Sequence, residues 1–182
     1  MEPYKIVTHN EIFNGKIVRM IVDEIELPGG KIAKREVVLH HSEAAAILPV
    51  ADNGDIFLVR QYRHPLGRHV LEIPAGLLDK GESPQNCALR ELEEEIGYRA
   101  GKISFALAAN NSIGVSNDRI HIYIAQNLVQ TKQNLDADEF LTIERYSLAQ
   151  CDEMIASGEI IDSKTILAIF AYKLGMGFTS IT

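Results

Sequence analysis

Between Gly76 and Tyr98 the chain reads GLLDKGESPQNCALRELEEEIGY, a stretch that constrains the fold from both ends. Ser83 followed by Pro84 is an N-cap with proline at the first helical position, where a missing N–H costs nothing. Gly97 is the left-handed residue that closes a helix. Residues 84–96 are therefore expected as one helix. At 3.6 residues per turn, Glu91 and Glu95 share a face about 6 Å apart along the axis, with Glu94 beside them. Leu89, Leu92 and Ile96 form the stripe expected to face the core. Carboxylates gathered this closely repel, and a hard divalent cation shared with substrate phosphates is the usual neutraliser. The plainer reading is a solvated helix with Arg90 paired to Glu94 at i, i+4, but it does not require Gly76, Glu82 and Gly97 at their offsets.

Around this helix the pattern is mostly that of strands. Residues 17–27 and 31–41, joined by Pro28-Gly29-Gly30, alternate apolar and polar positions and read as a β-hairpin. Residues 44–50 and 56–63, separated by Asp52-Asn53-Gly54-Asp55, read as a second. A short strand at 70–73 leads through Pro74-Ala75-Gly76 into the helix. Strands follow near 103–110 and 119–126, then an acidic loop at 134–139, a strand at 140–146, and helices at 148–157 and 163–174. Mixed strands with one central helix and others at the end imply an α/β sandwich.

The chain has 182 residues, of which 46% are apolar and 24% charged, enough for one cored domain. Eighteen basic against 25 acidic residues leave a net charge of −7, which excludes a generic nucleic-acid binder lacking clustered cations. No apolar run is long enough to span a membrane, and MEPYKIVTHN lacks a signal-peptide core, so a cytoplasmic location is the expectation. Cys87 and Cys151 are too few for a disulfide framework, and neither reads as a nucleophile.

The same frame matches G-x5-E-x7-R-E-U-x-E-E-x-G-U at every fixed position, with Tyr98 in the last apolar place, and so resembles the Nudix hydrolases. That resemblance implies an α/β/α sandwich with a mixed sheet, and cleavage of nucleoside diphosphates linked to another group by attack of water on phosphorus. The longer stretch LVRQYRHPLGRHVLEIPAGLLDKGE resembles the branch acting on nucleotide sugars and ADP-ribose. From that branch follow an N-terminal β-hairpin extension over 1–42 that serves dimerisation and the base pocket, a Nudix domain over 43–182, and a homodimer.

By the same resemblance the Ala75 carbonyl, Glu91 and Glu95 would be principal metal ligands, with Glu94 and Glu82 ligating directly or through water. The metal would be Mg²⁺, with Mn²⁺ as a substitute, polarising the P–O bonds. Arg90 would orient carboxylates by bidentate pairing. The base would come from the acidic loop NLDADEF: Glu139 first, with Asp138 and Asp136 behind it. Along residues 60–63, Arg60 and Tyr62 face one side of a strand and Gln61 and Arg63 the other. Arg63 is the favoured phosphate clamp, with Arg60, Arg35 and Arg68 as further candidates. Tyr4, Phe13 and Tyr62 are the aromatics available to stack a nucleobase. The histidines show no metal-ligand spacing, and His64 is the one best placed to approach the site.

One departure bears on specificity. ADP-ribose enzymes of the branch carry a proline in a Ser-Pro-Gly-like segment after the box, where this chain has Ser112-Ile113-Gly114. The tail SGEIIDSKTILAIF, with Asp162 or Ser163 as helix cap, resembles relatives that cleave GDP-mannose. The expected function is therefore Mg²⁺-dependent hydrolysis of nucleoside diphosphate sugars such as ADP-ribose, GDP-mannose or ADP-glucose to a nucleoside monophosphate and a sugar phosphate. A strict ADP-ribose pyrophosphatase is the nearest alternative, and a non-catalytic nucleotide-binding regulator the alternative from another class.

Overall fold

The computed structural model describes residues 4–137 and 139–176. They divide into two compact units, one holding residues up to Glu43 together with Asn110–Arg119, the other Ala44–Ala109 and the chain from Ile120 onward.

The first unit is an antiparallel sheet of β1 (Lys5–Asn14), β2 (Val18–Glu26) and β3 (Ile32–His40), in that order. The β2–β3 hairpin has the expected form, with Val18 opposite His40 and Glu26 opposite Ile32. Its turn needs glycines because Gly29 and Gly30 both have positive φ, 90° and 82°. On β2 the inward residues Ile21, Asp23 and Ile25 alternate with half-exposed ones. The expected two-stranded hairpin is thus a three-stranded sheet. β1 escapes a period-two reading because its apolar residues come in adjacent pairs, Ile6-Val7 and Ile12-Phe13, and register shifts interrupt its pairing beside both. All ten of its residues are exposed.

The second unit runs β4 (Ala44–Pro49), β5 (Ile56–Arg63), a 3₁₀ turn at His64–Leu66, β6 (Arg68–Glu72), β7 (Ala75–Leu77), α1 (Pro84–Ile96), β8 (Tyr98–Asn110), β9 (Arg119–Gln130), β10 (Leu141–Tyr146), α2 (Leu148–Ser157) and α3 (Ser163–Lys173). Its strands form two sheets, ordered β7-β4-β9-β8 and β10-β5-β6. β4 lies parallel to β9 and antiparallel to β7, so the first sheet is mixed. Its alternate residues serve two cores. Ala45 and Ile47 pack with Cys87, Ala88, Leu92 and Ile96 of α1, whereas Ala46 and Leu48 pack with Met154 of α2 and Ala168 and Ile169 of α3. Helices therefore cover both sides of the strands, the expected sandwich.

Three expectations are corrected. Residues 44–50 and 56–63 are not a ladder-paired hairpin: a lone bridge joins Val50 to Ile56, after which β4 and β5 enter different sheets. The Asn53-Gly54 turn is local, but the buried strands it joins do not pair with each other: β4 lies between β7 and β9, and β5 between β6 and β10. β8 begins at Tyr98, not near residue 103, because Gly101 allows a close pass of Asn127, whose backbone oxygen would lie 2.8 Å from any Cβ there. On α1, Leu89 is only half-buried, and the apolar stripe runs through Cys87, Ala88, Leu92 and Ile96.

Candidate metal-carboxylate active site

α1 has the predicted bounds and caps. Ser83 Oγ accepts from Asn86 N at 3.2 Å, and Gly97 takes φ 70° at the C-terminus. Its carboxylates are split by depth. Glu91 and Glu95 are 5% and 3% exposed, while Glu94 is half-buried. The segment Ala75-Gly76 approaches them because β7 pairs with β4, Ala46 opposite Ala75 and Ala45 opposite Gly76. A Cβ at Gly76 would overlap Glu91 Oε1, so glycine is what lets that carboxyl sit against the strand.

Arg90 binds most of the cluster. Its Nε and Nη2 donate to the two oxygens of Glu82, each at 3.0 Å, and Nη1 donates to Glu91 Oε1 at 2.6 Å and Glu94 Oε2 at 3.0 Å. Nη2 also reaches the Leu77 carbonyl at 3.1 Å. Arg90 holds the Glu82 carboxyl below its ordinary range, outweighing the opposing effect of burial.

The two deep carboxyls behave differently. Burial pushes Glu91 up to about 7; Arg90 pulls it back, and the charges of Glu94 and Glu139 push it further. Glu95 is pushed up to about 9, by burial first and then by Glu91 and Glu139, against a backbone hydrogen bond from Ala75 and the positive charge of Arg63. Glu95 Oε2 is buried with no hydrogen-bond partner. Cys87 on the same helix has its thiol raised to about 12, chiefly by burial, and is inert as a nucleophile.

Glu139 closes a turn in the acidic loop: its N–H donates to Asp136 O at 3.0 Å, and its Oε2 accepts from Asp136 N at 3.2 Å. It lines a cavity of about 510 Å³ with Arg60 and His69. Asp136 is exposed on the same turn, and Asp138 lies outside the described residues.

Arg60 and Arg63 open onto different cavities. Arg60 pairs with Glu144, Nε to Oε1 at 2.5 Å, and lines the cavity that holds Glu139. Arg63 donates from Nε and Nη2 to Glu72, both at 2.7 Å, and lines a cavity of about 490 Å³. Tyr62 stands edge-on to His69, with centroids 5.5 Å apart. Arg68 is exposed on β6 opposite Arg63. His64 is exposed at the start of the 3₁₀ turn. Arg35 belongs to the first unit, on β3 opposite Asp23, with Nη1 on the Lys34 carbonyl at 2.8 Å. Tyr4 and Phe13 are exposed in the same unit.

Sequence reading does not single out Glu72 or Lys164. Glu72, 3% exposed, binds both Arg63 and the ammonium of Lys164, which also meets Asp162 Oδ1 at 3.0 Å. Burial opposes ionisation of Glu72, but Arg63 and Lys164 outweigh it and hold its carboxyl below the ordinary range. Two local anomalies signal this network: a glutamate between the apolar residues Leu71 and Ile73, and a lysine in the first turn of α3, where the helix dipole disfavours a cation without a carboxylate partner. Asp162, not Ser163, caps α3, its Oδ2 accepting from Thr165 N at 3.0 Å.

Among the described residues no three His, Cys, Asp or Glu side chains form a metal-holding cluster, and the Arg90 guanidinium binds the carboxyls of Glu82, Glu91 and Glu94. The donors nevertheless fit a hard divalent cation. They are all oxygens, one buried carboxylate oxygen has no partner, and glycine brings the backbone close.

Known proteins are similar to this chain. A family profile described as the NUDIX domain matches residues 39–167. An ADP-ribose pyrophosphatase of Bacillus subtilis (strain 168) is 42% identical over 167 residues, 91% of this chain and 90% of that protein. A methanol dehydrogenase activator of Bacillus methanolicus is 40% identical over 168 residues, again 91% and 90%. A solved ADP compounds hydrolase superposes with a TM-score of 0.87 at 23% identity, covering 96% of this chain and 95% of that one, and so shares the fold. With the profile spanning more than half of its length and the B. subtilis relative aligned over nine-tenths of it, the chain belongs to the Nudix family and is one of its hydrolases acting on pyrophosphate bonds.

Proposed function

We propose that the chain is a Mg²⁺-dependent nucleoside-diphosphate-sugar pyrophosphatase of the cytoplasm, with Mn²⁺ as a substitute metal, cleaving ADP-ribose and related nucleotide sugars to a nucleoside monophosphate and a sugar phosphate. The observation that carries this reading is the partnerless buried Oε2 of Glu95, one turn along α1 from the buried Glu91 carboxyl that Gly76 admits. Similarity to an ADP-ribose pyrophosphatase over nine-tenths of the chain supports the substrate class.

Glu91 and Glu95 would be the principal ligands, with the Ala75 carbonyl, Glu82 and Glu94 completing the set. Bound there, a divalent cation would neutralise the diphosphate and polarise its P–O bonds. Arg90 acts on the carboxylates and holds them in position. Glu139 is the residue that accepts the proton from the attacking water as the water oxygen bonds to phosphorus and the bond to the departing phosphate breaks. Arg63, with Arg60, Arg35, Arg68 and Tyr62 as further candidates, would hold the substrate. Exposed Ile113, where ADP-ribose enzymes of the branch carry proline, favours a range of nucleotide sugars including GDP-mannose over strict ADP-ribose use. The fully exposed edge strand β1, with Ile6, Val7, Ile12 and Phe13 presented to solvent, supports a homodimer formed through residues 1–42.

A second reading is favoured by the methanol dehydrogenase activator. That protein is named for its action on another enzyme, which favours the non-catalytic nucleotide-binding regulator as the reading to test against; a nicotinamide dinucleotide, two nucleotides joined through pyrophosphate, is added to the substrates tried.

The test is phosphate release, coupled to a phosphatase, from ADP-ribose, ADP-glucose, GDP-mannose, UDP-glucose and a nicotinamide dinucleotide, with Mg²⁺ and with chelator. Cleavage of several nucleotide sugars that stops with chelator is expected. In Glu139→Gln, kcat should fall by about 10²- to 10⁴-fold, the usual contribution of a positioned base. Cleavage that persists in chelator would overturn the metal assignment, and unchanged turnover in Glu139→Gln would remove that residue as the base.

A further inference from the structure

The acidic loop is strapped to the C-terminal end of the carboxylate helix. The last turn of a helix leaves carbonyls without intrahelical donors. Here loop residues supply donors to three of them: Thr131 N to Gly97 O at 2.7 Å, Gln133 Nε2 to Glu95 O at 2.6 Å, and Asn134 N to Glu94 O at 3.0 Å. The approach is so close that a Cβ on Gly97 would lie 2.8 Å from Gln133 N, so this glycine both ends the helix and admits the strap. Two of the accepting carbonyls belong to the glutamates whose side chains build the site. A few residues on, the turn from Asp136 to Glu139 closes on itself, and Glu139 lies near enough for its charge to act on both Glu91 and Glu95.

We propose that Gln133 is a positioning residue for the hydrolysis, the side chain that sets where Glu139 stands relative to the carboxylates of α1. Of the three strap bonds, only this one comes from a side chain. Thr131 and Asn134 use backbone N–H groups that any residue other than proline provides. Gln133 anchors the loop upstream of Glu139, on the carbonyl of Glu95 itself, so a shift of the loop along α1 must break this bond. The proposal rests on the reading of Glu139 as the base.

The experiment is a double-mutant cycle in the full chain, with Gln133→Leu, Glu139→Gln and the pair assayed on ADP-ribose with Mg²⁺. Leu keeps the bulk of Gln133 and removes its donor; Gln133→Ala replaces it if the Leu variant does not fold, as judged by thermal melting. The expected result is a kcat lower by about tenfold or more with KM near wild type, as small displacements of reacting groups produce. In the Glu139→Gln background the same change should have little further effect, because the residue it positions is already disabled. An equal loss in both backgrounds would mean a general structural role and overturn the proposal, as would wild-type kcat in the single variant. Undiminished turnover in Glu139→Gln alone would reject the base reading and this proposal with it, whereas lost turnover there beside an intact Gln133→Leu would reject the strap alone.

Discussion

Glu95 costs the protein stability at the pH where it is needed, and replacing it by glutamine makes the cost measurable. The carboxyl has an ordinary value of 4.5 and is raised to about 9 in the folded chain, by burial first and then by the charges of Glu91 and Glu139. A raised folded value means that the native state holds the proton more tightly than the unfolded state. Its stabilising contribution is complete below the ordinary value, and is lost progressively as pH rises through about 9. One extra bound proton corresponds to about 1.4 kcal/mol per pH unit, so between about pH 5 and about pH 7.5 this group alone removes on the order of 3 kcal/mol. A glutamine side chain at this position cannot ionise and escapes that loss, although its amide still lacks a partner where the buried Oε2 stands. Urea unfolding of chelator-treated protein, followed by far-ultraviolet circular dichroism because the chain has no tryptophan, gives both stabilities. Relative to wild type, Glu95→Gln should gain about 3 kcal/mol across that interval, and the wild type should recover part of the difference when Mg²⁺ is added. A constant difference between the two proteins from acid to neutral pH would refute the idea that Glu95 is buried against its charge.

Gly76→Ala should lower kcat by about tenfold or more while leaving the melting temperature unchanged or slightly raised, because the new Cβ displaces a Glu91 carboxylate that can swing away. Steady-state assay and calorimetry on one preparation separate the two effects. Glu72→Ala should cost about 3 kcal/mol of unfolding free energy by denaturant titration, since it strands Lys164 and Arg63 beside the site of a lost buried carboxylate. A loss below about 0.5 kcal/mol would mean that water replaces the carboxylate at no cost.

What can be read from the residues alone follows from how local the determinants are. α1 has the bounds assigned to it because Ser83, Pro84 and Gly97 act within a turn of the helix ends, and the capping box of Ser147 and Gln150 does the same for α2. The pairing of β4 escapes such a reading because a local turn signal at Asn53-Gly54 cannot report that β4's hydrogen-bonding partners are β7 and β9. β1 escapes it because paired apolar residues on a fully exposed strand carry no alternation. In the site, the glutamates are legible from spacing, but the depth of Glu91 and Glu95 against half-exposed Glu94 depends on how close β7 comes. The ion pair of Glu72 and Lys164 joins residues 92 positions apart, so a local anomaly marks each residue without pairing the two. Gln133 is hidden for the same reason: its partner is a backbone carbonyl, and carbonyls have no residue type.

β4 has an implication for how such a chain can vary over evolutionary time. Because Ala45 and Ile47 face one core and Ala46 and Leu48 the other, inserting or deleting a single residue between Ala44 and Pro49 would exchange the two faces along the remainder of the strand. The residues shaped to fit α1 would then meet α2 and α3, and β7 would lose the register that holds Gly76 against Glu91. Length changes are therefore confined to the loops at either end of β4, while its six positions drift only by substitution, within the volume that two helical layers leave between them.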